Sequence, residues 1–114
     1  MQTMEIKKSD WSGYFKRLSK ELSNKTTTVN IEQVGMDIGD QVIAEEIPLN
    51  NLAYDAKKDL LEISSAEADH RVNSPVGVYV CLSGGDVDSM EVIDASDHRQ
   101  IIKFIHPLAL SQQK

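Results

Sequence analysis

With one cysteine, Cys81, the chain can form no internal disulfide, so its fold has to rest on packing and hydrogen bonding. Three prolines and six glycines are too few for a fibrous or low-complexity chain. No apolar run approaches the ~20 residues that span a bilayer; the longest, VGVYVCL at residues 76–82, has the length of a strand. The opening MQTMEIKKSDW has two lysines with no apolar stretch behind them, so no secretory signal is expected and the cytoplasm is the expected compartment. The sequence also lacks a P-loop, a nucleophile elbow, a dinucleotide fingerprint, the EF-hand order and close metal-ligand spacings such as HxxxH or CxxC. These absences leave an enzyme without a visible motif, and neither a cofactor nor a metal is expected.

What remains is an ordinary globular composition. At 114 residues, 40% of them hydrophobic and 26% charged, the chain is long enough for one core and too short for two, which predicts a single domain over residues 1–114. The net charge of −6 is unevenly spread: residues 1–25 carry a surplus of three positive charges and the rest a surplus of nine negative ones. An acidic body repels phosphate backbones, so nucleic acid is not an expected partner. The basic segment is expected to lie on the acidic body and complement it.

Ser9 and Asp10 read as a helix start, Ser9 as the cap and Asp10 at the positive end of the dipole. Trp11, Tyr14, Phe15, Leu18 and Leu22 then recur on one helical face, with Lys16, Arg17 and Lys20 opposite, which predicts a helix over residues 9–23 ended by Asn24. From residue 26 the pattern alternates. Residues 26–31 and 41–46 form an expected hairpin around Gly35 and Gly39, Pro48 is expected to interrupt the second strand, and residues 52–55 and 60–63 form another hairpin. Residues 76–82, with both faces expected to be largely buried, 90–94 and 101–105 form a three-stranded meander that Pro107 is expected to stop. The β-rich body thus runs over residues 26–106, with a short apolar tail at 107–114. One helix and about six short strands predict an α+β fold: the helix packed on a curled antiparallel sheet, either open or closed as a small Sm-like or SH3-like barrel.

Few side chains carry chemistry. Two of the three histidines follow an aspartate, Asp69-His70 and Asp97-His98, and His106 stands alone; neighbours on an extended chain point to opposite sides, so neither pair is a ready dyad. Cys81, between Val80 and Leu82, is expected to be buried and inert. Asp86, Asp88 and Glu91 read as solvated turn acids, and Tyr54-Asp55 as a ring on the core beside a turn-capping carboxylate. The order Trp11…Phe15, Ile38-Gly39-Asp40-Gln41, Ile47-Pro48-Leu49, Tyr54-Asp55 before Asp59-Leu60-Leu61-Glu62-Ile63, Asp69-His70 with Pro75, Glu91-Val92-Ile93-Asp94-Ala95 and Gln100-Ile101-Ile102 before Pro107-Leu108 resembles a family of small bacterial proteins known only as a domain of unknown function. It departs from that pattern in having Asn51-Leu52 for the usual Gly-Ile, Ala56 for Pro after Tyr-Asp, and Asp97 or His98 where the family has Gly. The resemblance implies a bacterial, cytoplasmic protein without naming an activity.

Two functions follow as expectations. The first is a non-enzymatic β-rich module that binds protein or itself, as a homo-oligomer, through an exposed sheet edge or the apolar tail. The second is a small-ligand or metal-binding protein with Tyr54, Asp55, Asp69 and His70 around one mouth.

Overall fold

The computed structural model describes residues 2–24, 27–67 and 69–109. The chain runs through β1 (Gln2–Glu5), a single 3-10 turn (Lys8–Asp10), α1 (Trp11–Asn24), β2 (Thr27–Gly35), β3 (Gly39–Asp55), β4 (Leu60–Ser65), β5 (Asp69–Asn73), β6 (Pro75–Ser83), β7 (Asp86–Asp94) and β8 (Arg99–Leu108). The strands form one antiparallel sheet in the order β1-β6-β7-β8-β2-β3-β4-β5. The α+β class and the helix-on-sheet layering are as expected. The strand number is eight rather than about six, and the strand ladder does not close into a barrel.

The helical stripe behaves as its spacing dictates. Trp11, Tyr14, Phe15, Leu18 and Leu22 are all buried, whereas Lys16, Arg17 and Lys20 are exposed. Alternating residues from the sheet's inner face meet them: Val29 and Ile31 of β2, Leu49 and Leu52 of β3, Val78 and Val80 of β6, Ile102 and Phe104 of β8. The α1 helix packs chiefly on β3. Two polar links fix its position: the Trp11 indole N–H donates to the Ile6 carbonyl at 2.8 Å, and the Ser19 hydroxyl donates to the Leu52 carbonyl. The start differs from expectation. Ser9 lies inside the 3-10 turn, and Lys7 holds the cap position without a side-chain cap bond.

Neither proline acts as expected. Pro48 sits within β3, opposite Thr28, and its carbonyl accepts from the Ala66 N–H at 3.1 Å on the β4 side. In an antiparallel strand the N–H and C=O of one residue point the same way. The missing N–H therefore faces the same side at the very start of the β4 ladder, whose first pair is Leu49↔Ser65, so the proline removes at most one bond at the ladder's end. Pro107 lies within β8, where Leu108 rejoins the sheet opposite Val87 and is 2% exposed. Leu108 is core rather than tail; residues 110–114 lie outside the described residues. The 76–82 strand is less buried than expected, because Val76 is 62% exposed and Tyr79 and Cys81 are only half-buried beneath β1.

The edge strand β5 is joined by chain to β6, the neighbour of the opposite edge strand β1. Ser74 alone separates β5 from β6 at φ 52, and its backbone bonds both the β3–β4 turn, through Asp59, and the β7–β8 turn, through Ala95. If the helix is held on by its apolar stripe, Trp11→Ala should lower the unfolding free energy in urea by about 3–5 kcal/mol, while Lys16→Ala should stay within about 0.5 kcal/mol.

Candidate functional site

Tyr54 and Asp55 close the β3–β4 hairpin. The Asp55 carboxylate accepts from the backbone N–H groups of Lys57 (3.0 Å) and Lys58 (3.3 Å), which satisfies turn donors that have no ladder partner. The Tyr54 ring meets Trp11 edge-on, 5.2 Å between centroids, and its hydroxyl donates to Asp59 Oδ1 at 2.6 Å. Lys8 completes the group, 3.8 Å from Asp59 and over the Trp11 ring. The hydrogen bond to the Asp59 carboxylate, with burial and the negative charges of Asp59 and Asp55, pushes the Tyr54 hydroxyl up to about 12. Tyr54 therefore stays a neutral donor through the physiological range, holding Asp59 at the turn beside Lys8 while its ring packs on Trp11 at the helix start.

Asp69 and His70 begin β5, where His70 pairs with Ile63 and Asp69 with Ser64. His70 points inward. Its Nε2 lies 2.7 Å from Oε1 of Gln100, a residue 2% exposed on β8, so with that amide orientation the ring donates its proton there. The bond spans the concavity, because β5 and β8 are separated in the sheet by β2, β3 and β4. Asp69 is exposed.

The four residues expected around one mouth are not brought together: Asp55 caps its turn and lines neither concavity, and the other three divide between two. Tyr54 lines a shallow one with Lys8, Ser9, Ser12 and Asp59. Asp69 and His70 line a narrow cleft of about 100 Å³, with Ile31, Ile47 and Ile63 among its apolar lining and Ile43 on its β3 side. The cleft exists because β3 pairs with β4 only from Leu49 onward, while residues 39–47 pair with β2 alone among the described residues. Bulges near Ile43 and at Glu45-Glu46, where Glu46 takes φ 48 and its N–H donates to Asn30 Oδ1 at 2.7 Å, turn this half of β3 away from β4. Val42 and Ile43 are 58% and 41% exposed along this margin, and Met36 at the hairpin tip is fully exposed. Glu45, Glu46, Glu67 and Asp69 surround the region, with no Lys or Arg within ion-pair distance among the described residues.

The remaining candidates are engaged elsewhere. His98 meets Asp37 at 2.8 Å, joining the β2–β3 and β7–β8 turns, and Asp94 accepts from its backbone N–H. That bond holds the Asp37 carboxyl below the usual range. A Cβ at Gly35 would stand 2.6 Å from the His98 ring, so glycine is what admits this contact. Asp88 pairs with Lys103 and Glu91 with Arg99. His106 is exposed, Cys81 is half-buried rather than buried, and no metal-holding group of His, Cys, Asp or Glu occurs among the described residues. Among those residues, too, no helix is long and apolar enough to cross a membrane.

The motif order resembling a family of unknown function can now be set against known proteins. A family model described as a family of unknown function, DUF5335, matches residues 2–113. The chain belongs to this family. A bacterial relative, an "Uncharacterized protein" of Aquifex aeolicus (strain VF5), is 39% identical over 105 residues, which make up 91% of this chain and 93% of the relative. No solved structure matches. In this DUF5335 protein, Asp97 adopts φ 61, the left-handed region that glycine enters freely, which explains why glycine suits that turn.

Sequence reasoning missed Gln100, Ile43 and β1. Gln100 had a readable signal: it shares the inward parity of Ile102 and Phe104, so a polar group there had to find a buried partner. His70→Ala should strand the Gln100 amide and cost about 1–3 kcal/mol in urea unfolding, with Asp69→Ala within about 0.5 kcal/mol. Ultraviolet titration should find a tyrosine ionising near pH 12 that Tyr54→Phe removes. Because the folded value is raised, the contribution of Tyr54 to stability is complete below about pH 10, the unfolded value, and is lost as pH rises through the folded value.

Proposed function

We propose that the protein is a non-enzymatic binding module that associates with itself, using the open margin of β3 at residues 40–47 as its contact surface. The observation that carries this reading is one strand margin that combines unpaired backbone with exposed Val42 and Ile43. Such an edge is a template for another strand. The alternative, a small-ligand site at Asp69 and His70, is disfavoured by size. A cleft of about 100 Å³ falls below the ~300–1,000 Å³ of small-molecule pockets and suits one side chain. The apolar tail also contributes less than the edge, since Leu108 belongs to the core. The reading places the protein in the cytoplasm, in keeping with a chain built with a single cysteine.

Light scattering on the full chain should give a molar mass above the 12.7 kDa of one copy at micromolar concentration. Ile43→Ser should lower that mass while leaving the circular dichroism spectrum unchanged. A wild-type chain that stays a strict monomer over this range overturns the proposal.

A further inference from the structure

We infer that the segment received by the β3 margin is β1 of a second copy, giving head-to-tail association with Met4 seated at the cleft; this rests on the self-association proposed above. The open margins of the sheet include β1, β5 and residues 39–47 of β3. Pairing the β3 margin with its own copy would bring Asp40, Glu45 and Glu46 toward the same three carboxylates, and like charges across a ladder are unfavourable. β5 borders the same cleft, with Asp69 and His70 in its lining, so it belongs to the receiving side.

β1 is the remaining edge. Its own charge is Glu5, and a cation lies just beyond its end: Lys7, two residues after the strand, is exposed and without a carboxylate within ion-pair distance among the described residues. All four of its residues are exposed, Met4 by 39%. Met4 pairs with Val80, an inner-face residue, so it stands on the inner face of its own sheet. Ala44 and Ile47 pair with the inward Ile31 and Val29, so they hold the same face on the receiving margin. Joining the two edges continues the sheet and sets Met4 beside the apolar cleft, whose volume of about 100 Å³ suits one unbranched side chain. Lys7 then approaches Glu67 and Asp69. A junction between two different edges is heterologous, so it propagates into a ring or an open chain rather than stopping at two copies.

The test uses two full-length variants, each checked for folding by circular dichroism. Met4→Ser/Lys7→Ser removes the donor and leaves the β3 margin; Glu67→Lys/Asp69→Lys removes the acceptor and leaves β1. Sedimentation velocity should find each variant monomeric alone and an equimolar mixture forming a 1:1 heterodimer, because one intact donor then meets one intact acceptor. A wild-type assembly that stops at a two-fold dimer, or a mixture that stays monomeric while the wild type assembles, overturns the β1 assignment and leaves self-association standing. A strictly monomeric wild type overturns both.

Discussion

The constraint on which this structure depends is the uncovered inner face of a sheet that curls without closing. Eight strands turn their alternating apolar residues to one side, and the ladder stops before the edges meet. Water must be excluded from that side by something else. The α1 helix does this with five buried side chains, and the segment before it is secured by the Trp11 indole bond and the Lys8–Asp59 ion pair at the rim. Across the opening, His70 and Gln100 join β5 to β8 with the one polar bridge described inside the curl. The aromatic rim, the buried amide and the helix stripe all answer the same geometric need.

The fold was legible wherever local pattern and burial agree. The helical stripe, the β3–β4 hairpin with Asp55 capping its turn, and the β6–β7–β8 meander follow from periodicity and turn chemistry that act over a few residues. The misreadings share another cause. Pro48 and Pro107 look like strand breakers until it is known which side of the strand is unpaired, and that depends on residues distant in the chain. β1 is too short to show a period, and it exists because β6 offers an edge. The candidate site fared likewise. Tyr54 and His70 both turn inward, and only the sheet order reveals that they line different concavities.

Charge follows the architecture. The basic residues of α1 lie on its outer side, and among the described residues the cationic start of the chain touches the acidic body at one ion pair, Lys8–Asp59, beside the aromatic rim. The expected complementarity between the two segments is therefore narrow within one copy. Most of the carboxylates at the β3 margin and most of the cations of the N-terminal segment remain available to solvent or to a neighbour, and exposed pairs of this kind steer association more than they stabilise a fold.

The place of β8 carries a consequence for how the chain is made. Of the described strands, β8 leaves the ribosome after the other seven, yet it is inserted in the middle of the sheet, between β7 and β2, where it aligns residue 104 with residue 29. Until it emerges, the hairpins on either side have no common neighbour, and their inner edges stand open together. The nascent chain must hold two half-sheets apart from each other and from other proteins, and β8 converts them into one cooperative unit.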